Sequence, residues 1–203
     1  VDYNYHLVDF ETTVSTAVDQ QVVTVGTLQK SWVANQRRYF RYKTEKPINF
    51  MFALSSARYE IKREIFDGVT LSIFYKKGQE YNLNMMMKAM KDAIAYGSEN
   101  FGTYPLKQLV LAEIPHYKGA ATAYPGVVFS AERLNFLSNY SNVNKLNQAY
   151  AITAHEVAHQ WWANKLDPAN IAGRAMLTES LAKYTEAILI EKNFGKLYLS
   201  NYL

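Results

Sequence analysis

Apolar and polar positions alternate in short runs along the first third of the chain, and recur at three- and four-residue spacing along much of the rest. Val22-Val23-Thr24-Val25, Ile48 to Leu54 and Tyr59 to Phe66 are β-rich runs, punctuated by Gly26, Pro47 and Ser55-Ser56. Asp67-Gly68 is a turn signal, and Val69-Thr70-Leu71-Ser72-Ile73 alternates as a half-buried strand does. After Gly78 the pattern changes. Leu83, Met86, Met87, Met90, Ile94, Gly97 and Phe101 fall on one face of an amphipathic helix, which Gly102 and Pro105 end. The methionines read as core, because thioethers at helical spacing fill irregular gaps well. Leu106 to Ile114 and Gly126 to Ser130 are short apolar strands. Helical periodicity resumes from Asn144 to Asn164 and is interrupted by Pro168 and Gly173. A last helix covers Thr178 to Phe194, with Gly195 as its stop. The pattern predicts an α+β fold, with a β-rich part over residues 1–66 and an α/β part over residues 67–203.

Composition narrows the classes. At 203 residues, 49% hydrophobic and 20% charged, the chain can bury a sizeable core. The net charge of +4 is mild and scattered. The densest basic cluster, Arg37-Arg38-Tyr39-Phe40-Arg41-Tyr42-Lys43, interleaves rings and cations, but strand alternation explains it as well, so no nucleic-acid partner is expected. With no cysteine, disulfides, thiolate metal sites and cysteine nucleophiles are excluded. No apolar run approaches the ~18 residues of a membrane span, and Val1-Asp2-Tyr3-Asn4 is no signal peptide, so no membrane contact is expected within these residues. The missing initiator Met suggests a processed or excised piece.

One stretch, ITAHEVAHQWWANKL at 152 to 166, holds two of the four histidines. Residues i and i+4 share a helix face, so His155 and His159 can converge on one ion. Zinc suits two imidazoles, with nitrogens at ~2.0–2.1 Å. Glu156 lies ~100° further round the helix, so it is placed to reach a water on the metal and take its proton. H-E-x-x-H on a helix is a compact hydrolytic device. A catalytic zinc needs a third protein ligand and an open position. Glu179 is the candidate: it follows a loop containing Pro168 and Gly173 and opens the next helix, which can run antiparallel to the first. Glu186, two turns or ~10 Å along that helix, cannot share the ion and reads as a supporting or surface residue. Asp167 ranks lower, because the chain leaves the helix there. His116, after Pro115 at a strand end, reads as structural or surface. His6 carries no signal.

The segment HEVAHQWWANKLDP…MLTESLAKYTE resembles the aminopeptidase N family of thermolysin-like gluzincin peptidases. Gln160, Trp161, Asn164, Pro168, Glu179, Ala182, Tyr184 and Glu186 match its motifs, and ENFGTYPLKQLVLAEIP at 99 to 115 is similar to its approach to the active site. The resemblance covers residues 40 to 192. It implies one Zn2+ held by His155, His159 and Glu179, Glu156 as general base, and a peptide substrate. It also implies that residues 1–66 end an N-terminal β-domain and that 67–203 form the first half of a thermolysin-like catalytic domain. The chain looks closest to bacterial members associated with ATP-binding-cassette transporter permeases, whose parent would be membrane-associated. It departs from the family in three ways. The stretch between His159 and Glu179 is one residue longer, a surplus expected in the loop Ala169 to Ala175. The family's strand that grips a substrate's free α-amine aligns with Ala120 to Tyr124, with Ala123 where the amine-binding glutamate belongs. The family's transition-state tyrosine would lie beyond Leu203; Tyr184 belongs to a different motif. The reading is therefore a piece of a zinc-dependent, aminopeptidase-like peptidase. The alternative is an inactive zinc-binding or substrate-sensing module, which Ala123 favours and the retained Glu156 opposes.

Overall fold

The computed structural model describes residues 7–116, 120–140, 148–169 and 172–202; His6 and the first residues of the expected 144–164 helix lie outside them. Seven strands come first: β1 (Leu7–Val8), β2 (Glu11–Ala17), β3 (Gln21–Thr24), β4 (Thr27–Ala34), β5 (Arg37–Lys43), β6 (Ile48–Asn49) and β7 (Leu54–Ala57). β2, β5 and β4 form a three-stranded antiparallel sheet, while β1 pairs with β6 and β3 with β7. The basic run is β5, the centre strand of its sheet. Its alternation turns Phe40 and Tyr42 inward onto Val22 and leaves Arg41 and Lys43 outside, both paired with Glu11. The single strand expected from Ile48 to Leu54 is instead two, β6 and β7. They belong to different sheets, so the chain must cross between them; Phe50 and Phe52 meet edge to face in the crossing, at 5.5 Å.

The second part begins with a hairpin. β8 (Tyr59–Phe66) and β9 (Val69–Lys76) are joined by Asp67-Gly68, both at positive φ (48° and 75°), as a two-residue type I′ turn requires. Then follow α1 (Leu83–Phe101), β10 (Gln108–Ile114), β11 (Ala121–Tyr124), β12 (Val127–Ala131), α2 (Glu132–Asn135), α3 (Gln148–Ala158), α4 (Leu181–Phe194) and α5 (Lys196–Tyr202). The sheet order is β11-β12-β10-β9-β8, with β9, β10 and β12 parallel and the outer strands antiparallel. The change of texture near residue 67 thus falls inside a hairpin turn, and the sheet that carries the site starts at Tyr59.

This sheet is covered on both faces. β10 shows it by alternation: Leu109 and Leu111 enter the core shared with α1, α3 and α4, while Val110 and Ala112 face Val23, Val25 and Ile48 of the N-terminal strands. Met86, Met87 and Met90 are buried in the helical core. Among the described residues no helix is long and apolar enough to cross a membrane.

Candidate active site

α3 sends Ala149, Tyr150, Ala154 and Val157 into the core, which leaves His155 on its flank. The helix expected to reach Asn164 stops at Ala158. His159 still donates its backbone N–H to His155 O at 3.3 Å, after which the chain tightens: Gln160 N–H donates to Val157 O and Trp161 N–H to Ala158 O. Tertiary contacts explain the stop. Asn164 satisfies the orphaned His159 carbonyl with both its backbone and its side-chain N–H, each at 3.1 Å. The Trp161 indole lies on Gly97, where an added Cβ would stand 2.6 Å from the ring, and donates Nε1–H to Gly102 O at 2.7 Å. Trp162 donates Nε1–H to Thr185 Oγ1 of α4 at 2.9 Å.

Glu179 arrives from the other side, in a π-helical turn, Met176–Ser180, that runs directly into α4. A π turn holds one residue more than an α turn and so offers a place for the surplus residue expected in the Ala169 to Ala175 loop; residues 170 and 171 of that loop lie outside the described residues. Glu179 Oε2 lies 3.4 Å from His155 Nε2 and 3.5 Å from His159 Nε2, and the two Nε2 atoms are 3.2 Å apart. These three side chains are the one group among the described residues whose donor atoms could hold a metal, all within 4.8 Å of one another. Tetrahedral donors on a zinc ion, each at ~2.0–2.1 Å, stand ~3.3 Å apart, so the separations fit such an ion. The other ring nitrogens face acceptors. His159 Nδ1–H donates to Trp162 O at 2.9 Å, and His155 Nδ1–H to Glu186 Oε2 at 3.2 Å. With the protons on Nδ1, two Nε2 lone pairs and a carboxylate oxygen face one another with no proton between them, a donor set suited to a cation.

Electrostatics follow burial. Glu156 is 8% exposed, and burial, reinforced by the charges of Glu179 and Glu186, pushes its carboxyl up to about 7 against the pull of His155. Burial also depresses His155, but the Glu186 hydrogen bond and the charges of Glu156 and Glu179 outweigh it and leave the imidazole raised. His159 is lowered, by burial first and by His155.

Against known proteins, the peptidase family M1 domain matches residues 81–202, more than half of the chain. The chain belongs to peptidase family M1. Family M1 aminopeptidases are metallopeptidases, in keeping with the donor set. Endoplasmic reticulum aminopeptidase 2 of Homo sapiens is 26% identical over 137 residues, 66% of this chain and 14% of that protein. Aminopeptidase N of Acetobacter pasteurianus is 24% identical over 148 residues, 71% of this chain and 41% of that protein. Legionella pneumophila aminopeptidase A, solved in complex with aspartic acid, shares the fold with a TM-score of 0.80 at 17% identity, over 93% of this chain and 23% of that one. The chain therefore spans less than half the length of these relatives.

The remaining candidates are spread around this M1 core. Glu186 is buried against His155 rather than at the surface. Asp167 pairs with Arg174 at 3.0 Å, away from the imidazoles' contacts. His116 is exposed after β10, its backbone N–H donating to Glu132 Oε1 at 3.4 Å. Ala123 sits on the edge strand β11, 9% exposed, on the sheet face packed by α1 and α3. Gln160 ties the end of α3 to the β11–β12 turn by accepting from Gly126 N–H at 2.9 Å and donating to Tyr124 O at 3.0 Å. A cavity of about 480 Å³ lies by this turn and not over the histidines, between it and the N-terminal strands. Two polar side chains in its wall bond to backbone: Gln108 donates to Gly26 O at 2.7 Å and Asn49 to Ala163 O at 3.3 Å.

Proposed function

We propose that this chain is the part of a zinc-dependent, aminopeptidase-like peptidase that binds zinc through His155, His159 and Glu179 and carries Glu156 as general base. The convergence of those three donors beside a buried glutamate carries the reading. The proposal extends to the organisation: residues 1–66 as the end of a β-domain and 67–203 as the first half of a catalytic domain. Peptides are the proposed substrates, by likeness to the aminopeptidases above. Zinc, when bound, supplies a water of pKa ~7 and polarises a carbonyl. The residues do the rest. Trp162 O and Glu186 preset the two rings by holding their Nδ1 protons. Glu156 takes the attacking water's proton on its carboxylate and passes it to the leaving amine nitrogen. The test is elemental analysis of the wild type and of His159→Ala. About one zinc in the wild type and none in the variant is expected; equal zinc in both rejects the ligand assignment.

A further inference from the structure

The Glu186 carboxylate is 2% exposed, yet it has a partner on every side. Oε2 accepts from His155 Nδ1 at 3.2 Å. Oε1 accepts from Lys183 Nζ at 3.0 Å and from the Tyr202 hydroxyl. The two outer partners also hold each other: Lys183 Nζ donates to the Tyr202 hydroxyl and lies 4.2 Å from the centre of its ring. Lys183 comes one helical turn before Glu186 on α4. Tyr202 ends α5, which Gly195, at φ 90°, turns back toward α4.

Resting on the metal-centre reading above, we propose that Lys183 and Tyr202 are positioning residues for the metal site: they clamp the Glu186 carboxylate so that it keeps the His155 proton on Nδ1 and His155 Nε2 aimed at the ion. The argument is one of burial and direction. A buried carboxylate without a counter-charge is costly, and Lys183 is the cation placed on the side away from His155. Either oxygen of a loosely held carboxylate can rotate toward the imidazole, whereas two donors on Oε1 leave Oε2 alone to face Nδ1. The outer ends of the clamp are not fully buried: the Lys183 side chain is about half exposed, and the half-buried Tyr202 lays its ring against the helical core. Packing accounts for the Tyr202 ring but not for its hydroxyl or for the Lys183 ammonium, whose joint target is one oxygen of the group behind a candidate ligand.

The experiment uses the 203-residue chain and three variants: Lys183→Met, Tyr202→Phe, which removes a single oxygen, and Lys183→Arg. Zinc affinity is measured by competition with a chromophoric chelator. The His155 tautomer is read from imidazole 15N shifts in zinc-free protein, and melting by circular dichroism controls for folding. In Lys183→Met and Tyr202→Phe the zinc Kd is expected to rise ~10-fold or more, the scale on which groups behind a ligand act. The His155 shifts should move from the Nδ1–H tautomer to a mixture. Lys183→Arg should stay nearer the wild type in both. A wild-type Kd together with an unchanged tautomer in Lys183→Met and Tyr202→Phe overturns the proposal and leaves the metal reading standing. If the wild type binds no zinc, the metal reading falls and the proposed metal-site role falls with it, even where the tautomer still shifts in the variants and shows that the clamp holds His155.

Discussion

The two halves of the chain handle charge in opposite ways. In residues 7–58 the buried polar side chains are threonines, Thr16, Thr24 and Thr44, and the ion pairs Glu11 with Arg41 and Asp19 with Arg58 stand outside. From Tyr59 onward the interior holds Glu113, Glu156, His159, Gln160 and Glu186. A hydroxyl needs one partner indoors, and Thr24 finds it in Ala53 O at 2.8 Å. A buried carboxylate or imidazole needs several, and persists where chemistry uses it. Burial alone does not mark the site, however. Glu113 is as enclosed as Glu156 and is likewise pushed up by burial, but it accepts the Lys76 N–H at 2.8 Å and serves the end of a strand. What sets the α3 flank apart is that lone pairs on three residues converge on one point.

The strongest way to sharpen this contrast is Glu156→Gln. It keeps the shape and removes the base. Zinc content is expected to be unchanged, while the rate of peptide hydrolysis falls by ~10²–10⁴-fold. Undiminished hydrolysis would mean that this buried charge is structural, as Glu113 is. A weaker effect concerns the buried position that lacks a charge. Ala123 presents a methyl where the family resemblance implies a glutamate for the substrate's ammonium group, and the neighbouring Tyr124 gives no substitute there, because it lies on the opposite face of β11 against Phe129. Matched peptides with free and acetylated N-termini should therefore be cleaved with less than a hundredfold preference for the free amine. A larger preference would mean that another group has taken over.

Much of this was legible in the sequence where the signal is local. The β8–β9 hairpin follows from Asp67-Gly68 between alternating runs, α1 from its apolar stripe and Gly102, and the His155–His159 pair from i, i+4 spacing. Where the outcome hangs on distant partners, it was not. β6 and β7 part because each finds a different strand to pair with. α3 ends early because Asn164 caps it and the two tryptophans dock on α1 and α4. Glu186 was ambiguous because its direction depends on how α4 is turned as it leaves the π turn, and the Tyr202 contact joins residues on separate helices.

Two stability measurements complete the comparison. Gly97→Ala places a Cβ 2.6 Å from the Trp161 ring, in the helical half beside the site. Overpacking of this kind costs ~1–3 kcal/mol, against which the better helix propensity of alanine returns up to ~1 kcal/mol. A lower melting temperature and weaker zinc binding are expected together, since Trp161 follows His159 by two residues. No change in either would mean that the indole moves aside freely.

The smallest effect belongs to the outer pair of the N-terminal half. The Arg58 guanidinium, by hydrogen bond and by charge, holds the Asp19 carboxyl below its ordinary value. Because the folded value is the lower one, any stability from the pair is present above the ordinary carboxylate range and is lost as pH falls through the lowered value. Both groups are exposed, so water and salt screen that contribution. Arg58→Ala should then leave the melting temperature at neutral pH within error of the wild type, with any small difference shrinking further as acid is added or salt is raised. A fall as large as that of Gly97→Ala would break the comparison, because it would place a structural charge on the half of the molecule where charges otherwise remain in solvent.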